Sequence, residues 1–111
     1  MQTVAIVLNV DPAQAEAFED AFREHELPIW EDFHARGSMR FATLTRMQIS
    51  GVPTEGASQY LITVVFADDE GHHEHDNDPR FAAWNAMADR YQVAEPIALG
   101  GDTIVSVGLE A

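Results

Sequence analysis

Neither cysteine nor lysine occurs in this chain of 111 residues, and each absence removes a class of function. Without cysteine there is no disulfide framework, no thiol nucleophile and no thiolate metal site. Without lysine, six arginines are the only permanently charged bases, and they face nineteen acids for a net charge of −13 at pH 7. A surface of that sign repels phosphate backbones and anionic lipid headgroups, which argues against nucleic-acid and membrane partners. Nor is there an apolar run of about eighteen residues, the length that crosses a bilayer. The N-terminus lacks the basic start of a secretory signal, so a cytoplasmic protein is expected. A salt-rich cytoplasm or a GC-rich genome would also produce such a composition.

What is present is a folding composition. Apolar residues make up 46% of the chain and the aromatics are spread along it, so residues 1–111 are expected to form one domain with a single core. Thr3 to Val10 reads as a first strand, closed by Asp11-Pro12, a helix cap followed by a proline suited to the first helical position. Phe18, Phe22, His25, Ile29 and Phe33 then fall on one helical stripe. Pro28 interrupts it, and a kink is expected near Leu27, with the second segment ending at Gly37. Further strands fit Met39–Ile49 and Gln59–Phe66, joined by a hairpin loop. Asp78-Pro79 opens a second helix bearing Phe81, Trp84, Ala88 and Tyr91. Pro96 and Gly100-Gly101 read as a connection, and Asp102 to Leu109 as the last strand.

The order β-α-β-β-α-β folds most simply as a four-stranded antiparallel sheet with both helices on one face, a ferredoxin-like α+β architecture. The first and third strands are apolar on both parities, so the face without helices needs cover of its own. Several hundred Å² of such surface, at about 25 cal/mol per Å², drives association. A homodimer packed sheet to sheet is expected.

Element order and doubly apolar strands together resemble the dimeric α+β barrel superfamily, which includes antibiotic biosynthesis monooxygenases, EthD-like proteins, haem-degrading monooxygenases and stress-responsive barrel proteins. The stretch FREHELPIW followed by Gly37-Ser38-Met39-Arg40-Phe41 is similar to the EthD-like pattern. There the histidine stands two residues before the proline, a place held here by Glu26, with His25 one residue earlier. Asn9 matches an asparagine of the haem-degrading branch, but Trp84 and the histidines do not fall at that branch's spacing. The resemblance implies a cavity between sheet and helices in each subunit.

Residues on the helix stripes would line that cavity. His25 is the acid–base candidate, since an imidazole exchanges protons near neutrality; hydrogen bonding to a carbonyl at the core edge is the plainer alternative. Arg40 and Arg46 are candidate holders of a carboxylate or enolate oxygen, or else partners of surplus acids. Asn9, Phe22, Trp30, Trp84 and Tyr91 are candidate substrate-binding residues, the aromatics by stacking or simply as core.

The stretch DDEGHHEHDND, residues 68–78, holds three histidines and six acids. His72, His73 and His75, completed by a carboxylate, could ligate zinc, yet no structural-zinc spacing or HExxH motif is present. A solvated loop is the simpler expectation, and no cofactor is required. The expected function is a small-molecule pathway enzyme acting on an aromatic or polyketide-like substrate by proton abstraction, for cofactor-free oxygenation, cyclisation or isomerisation. The alternatives are a non-catalytic ligand-binding or stress-associated dimer, and a metal-binding dimer using the histidine-rich stretch.

Overall fold

A computed structural model describes residues 1–109. Strand β1, Gln2–Val10, ends where the Asp11 carboxylate accepts from the Ala13 N–H at 3.0 Å and Pro12 starts a single 3-10 turn. Helix α1, Ala15–His25, then runs into α2, Leu27–Ala35. Pro28 cannot donate to the Glu24 carbonyl, so the helical ladder lapses there. It is sustained on either side, by Glu26 N–H to Phe22 O at 2.9 Å and Trp30 N–H to Glu26 O at 3.0 Å. The break falls where the proline predicts it, and Gly37, at φ 82°, ends α2 in the left-handed region.

Strands β2, Met39–Arg46, and β3, Ser58–Phe66, form the hairpin. Helix α3, Asp69–Asp76, and helix α4, Pro79–Ala88, precede strand β4, Gln92–Asp102. The sheet order is β2-β3-β1-β4, with every neighbouring pair antiparallel. This is the ferredoxin-like arrangement the element order predicts. No helix among the described residues is long and apolar enough to cross a membrane.

Pairing register sorts the strand residues onto two faces. Val4, Leu8, Ala42, Leu44, Tyr60, Ile62, Val64 and Phe66 belong to the core under the helices, with Phe18, Phe22, Ile29, Trp30, Phe33 and Trp84. Across the ladder, Ala5 pairs with Thr63 and Leu99, and Val7 with Leu61 and Ile97; these point to the opposite face. That face carries large exposed apolar groups, including Phe41 and Leu99.

Two expectations need correction. The last strand is Gln92–Asp102 rather than Asp102–Leu109. Pro96 is tolerated because β4 is an edge strand and the register to β1 shifts nearby, between the Val7 and Asn9 pairings. The histidine-rich stretch is not a loop either. Asp68 caps it, accepting from the Gly71 N–H at 2.9 Å, and Asp69 and Glu70 occupy the first turn while His73 and His75 occupy the last. Both charge placements suit the helix dipole.

Candidate active site

Between α1, α2, α3 and α4 and the covered sheet face lies a cavity of about 570 Å³. Ile6, Leu8, Ile62 and Val64 form its floor, Phe22, Trp30, Phe81 and Trp84 its walls, and Pro96 and Ala98 of β4 its rim. Two ionisable side chains on its wall are buried, Glu26 at 3% exposure and His75 at 7%. His75 Nε2 lies 2.7 Å from Glu26 Oε1, and its Nδ1 lies 3.1 Å from Asp76 Oδ1. A carboxylate accepts only, so an imidazole between two of them must carry both protons. With both carboxylates ionised, the ring is an imidazolium.

The electrostatics agree. Burial alone lowers the His75 pKa, but the hydrogen bonds and charges of Asp76 and Glu26 outweigh it and hold the group at about 9. Glu26 moves upward: burial dominates, and the opposing bond to His75 does not fully offset it. Asp76 is also raised by burial, yet His75 and His72 bring it below the usual carboxylate range. The second Glu26 oxygen, Oε2, is buried without a hydrogen-bond partner. The Trp30 indole N–H acts on the Glu26 carboxyl as a nearby hydrogen-bond donor and lowers its pKa, but it stands outside hydrogen-bond geometry to Oε2.

Local structure explains why α3 can deliver His75. A side chain at Gly71 would place its Cβ 2.8 Å from the Ser38 carbonyl oxygen, so only glycine lets α3 seat this closely on the turn before β2. His72 fastens the same helix to the sheet, with Nδ1 2.7 Å from Gln2 Oε1, Nε2 3.0 Å from Asp76 Oδ2, and its ring stacked on Phe66 at 4.9 Å. Glu26 comes from the α1–α2 junction, where the kink turns this carboxylate inward in place of the neighbouring His25.

Of the sequence candidates, Phe22, Trp30 and Trp84 wall the cavity, as do His72 and His75. His25 does not; its ring stacks on Trp84 at 5.4 Å with its side chain 34% exposed. Asn9 is on the opposite face of the sheet, and its amide is consumed there, donating to Glu95 O at 3.0 Å and accepting from Gln59 Nε2 at 2.9 Å. Tyr91 packs edge-on against Phe18 at 5.8 Å and supports the wall from behind. Arg40 is the extra residue of a bulge, since Met39 and Phe41 pair with the consecutive Phe66 and Val65, and it therefore loses the parity of Ala42 and Leu44.

Arg46 grips Glu19 with two of its nitrogens, Nε at 2.7 Å and Nη2 at 2.5 Å. The Tyr60 hydroxyl donates to the same carboxylate at 2.5 Å. Arg46 and then Tyr60 hold Glu19 at about 2, while burial and then Glu19 push Tyr60 up to about 12. These groups line a larger open groove of about 890 Å³, but their hydrogen bonds are spent on one another. His73 lies apart from His72 and His75, beside Asn77, and no three histidine, aspartate or glutamate side chains converge as a metal set among the described residues.

Sequence reasoning missed Glu26. The signal that could have found it was the acid standing in the histidine's place two residues before Pro28. Capable of both donating and accepting a proton, the Glu26–His75 pair on an apolar wall has the make-up of an acid–base site.

Comparison with known proteins bears on the fold and the family. No curated protein matches the chain. A Caulobacter crescentus structure, given as a candidate antibiotic biosynthesis monooxygenase, superposes with a TM-score of 0.77 at 20% identity, over 94% of this chain and 90% of that one. A similar candidate from Deinococcus radiodurans gives 0.75 at 10% identity over 100% of both chains. A Nitrosomonas europaea protein of unknown function gives 0.71 at 20% identity, over 96% of this chain and 91% of that one. At these identities the likeness establishes the fold alone. The sequence profile described as antibiotic biosynthesis monooxygenase matches residues 1–87. Because that match spans well over half of the sequence, the chain belongs to the antibiotic biosynthesis monooxygenase family.

Proposed function

We propose that the protein is a cofactor-independent enzyme that oxygenates an aromatic or polyketide-like molecule held in the cavity between sheet and helices. The observation that carries this reading is an aromatic-walled cavity of about 570 Å³ whose wall bears one buried acid–base pair, Glu26 and His75. A wall of Phe22, Trp30, Phe81 and Trp84 suits a flat ligand. Removal of a ligand proton leaves an electron-rich anion, and dioxygen is then both oxidant and oxygen donor. One oxygen atom bonds to ligand carbon, and the other leaves as water with two of the ligand's hydrogens. Without dioxygen, the same proton removal supports cyclisation or isomerisation instead. The Glu26–His75 pair takes the acid–base role that the sequence suggests for His25.

The working unit in this reading is a homodimer, formed where the sheet face bearing Phe41 and Leu99 lies bare. A second reading, a non-catalytic ligand-binding dimer, draws on one observation: neither Arg40 nor Arg46 walls the cavity, so no arginine there can hold an anion. Oxygen uptake separates the two. Screening hydroxylated naphthalenes and anthracenes should find a ligand whose presence makes the protein consume dioxygen, and His75→Asn should abolish uptake. A ligand that binds in the cavity under air without uptake or conversion would favour the second reading.

A further inference from the structure

We infer that Glu26 Oε2 is the polar anchor of the cavity, accepting a hydrogen bond from a hydroxyl of a neutral ligand, so that the cavity takes neutral hydroxylated aromatics and rejects aromatic carboxylates. This rests on the cavity being the ligand site and adds the chemical class that fits it.

Three observations support it. Glu26 is a wall residue of the cavity, its Oε1 is engaged by His75 at 2.7 Å, and its Oε2 is buried with no partner. A buried carboxylate oxygen with no donor is costly, and a ligand hydroxyl would relieve that cost with a charge-assisted bond. The wall also has a definite charge. Its ionisable members are Glu26, His72, His75, Asp76 and Asp89, with no arginine among them. Both nitrogens of the one imidazolium, His75, already donate to Asp76 and Glu26. A ligand carboxylate would meet a surplus of negative charge with no free cationic donor. This polarity is the reverse of what Arg40 and Arg46 suggest in the sequence.

Calorimetric titration with 2-naphthol, 2-methoxynaphthalene and 2-naphthoate tests the inference. The native protein should bind the naphthol about tenfold more tightly than the ether or the carboxylate, the scale of one hydrogen bond to a charged acceptor. In Glu26→Gln the naphthol should lose most of that preference over the ether. Naphthoate should gain about tenfold, since an imidazolium relieved of one carboxylate attracts it. The double variant Glu26→Leu/His75→Leu removes both charges together and covers the case in which Glu26→Gln folds poorly. In it the hydroxyl preference should vanish without any gain for naphthoate. Equal ratios in the native protein and in both variants would overturn the inference. Ala98→Phe, at the cavity rim, checks the reading beneath it. If that variant leaves naphthol affinity unchanged, the probe sits outside the cavity, and it is the assignment of the ligand site that fails.

Discussion

The imidazole of His75 and the carboxylate of Glu26 meet at 2.7 Å across 49 residues of sequence, and their bond fastens α3 to the kink between α1 and α2. Neither residue is buried by its own element's pattern. Glu26 is one step off the expected stripe of α1, and His75 sits in a stretch that composition alone marks as solvated. Each is the condition for the other's burial. A lone buried carboxylate or imidazolium would have to neutralise or be expelled, whereas the pair can remain.

Removing one partner should therefore cost more than removing both. His75→Ala leaves Glu26 without its partner in an apolar wall, where it either stays charged and uncompensated or takes up a proton, and a loss of up to roughly 3–5 kcal/mol is expected. Glu26→Leu/His75→Leu fills the space with apolar atoms and should fall closer to the native stability than His75→Ala does. Urea unfolding of the three proteins measures this. A double variant less stable than His75→Ala would show that the pair is not the unit acting here.

The pair also sets a pH dependence. His75 in the fold is held at about 9 against a reference of 6.5, so folding favours its protonated form. Its stabilising contribution is complete below the unfolded value and declines as pH rises toward about 9. Glu26, raised by burial, has the same sign, because protonation favours the fold there too. Thermal melts from pH 6.5 to pH 10 should show the native Tm falling across the window. In Glu26→Leu/His75→Leu that part of the slope should be gone, and an equal slope in both proteins would assign the effect to other groups.

Much of the fold is legible in the sequence because it rests on local periodicity. Phe18, Phe22, Ile29 and Phe33 are all buried, as their helical spacing predicts, and Asp11-Pro12 and Asp78-Pro79 open helical segments where the cap chemistry places them. The last strand is not legible, since Pro96 and Gly100-Gly101 mimic a turn; an edge strand tolerates them, but edge position is a property of the finished sheet. The candidate site is legible only in its aromatics. Phe22, Trp30 and Trp84 need only a helix face to reach the cavity, whereas Arg40 is diverted by a bulge and Arg46 by Glu19. Burial of a carboxylate at position 26 depends on a helix 49 residues away, which no local pattern encodes.

Gly71 should be as demanding as any wall residue. Its alanine variant would place a methyl carbon 2.8 Å from the backbone oxygen of Ser38, and a backbone atom cannot rotate aside. Relief requires α3 to move outward, taking His75 away from Glu26. A loss of about 1–3 kcal/mol is expected from such overpacking. It should come with faster amide exchange in residues 69–76 than elsewhere. A variant with native stability and native exchange in α3 would contradict the seating argument.

His25 and Arg46, the most suggestive catalytic side chains in the sequence, supply a contrasting control. Arg46 is bound to Glu19 on the surface and His25 is stacked outside the cavity. Arg46→Ala should cost up to about 1 kcal/mol, the usual worth of an exposed pair, and His25→Ala no more than an ordinary surface change of about 0.5 kcal/mol. Both should bind 2-naphthol within about twofold of the native protein, a difference of roughly 0.4 kcal/mol. A collapse of binding or turnover in His25→Ala would return the acid–base role to that residue.

The bare sheet face makes the last prediction. Ala5, Leu61 and Ile97, all half-buried, share that face through the pairing register with the buried Val7, and Leu99 is 62% exposed. A face of this kind is either covered or prone to aggregate, because each Å² left in water forgoes about 25 cal/mol. A second copy of the chain presents the same surface and can close both at once about a two-fold axis. Sedimentation of the native protein at micromolar concentration should give a dimer. Leu99→Glu puts a charge on each side of the axis and should shift it to monomer, with the helix-covered core intact by circular dichroism. A native monomer would leave the face without its partner, and a dimer unmoved by Leu99→Glu would place the contact on another surface.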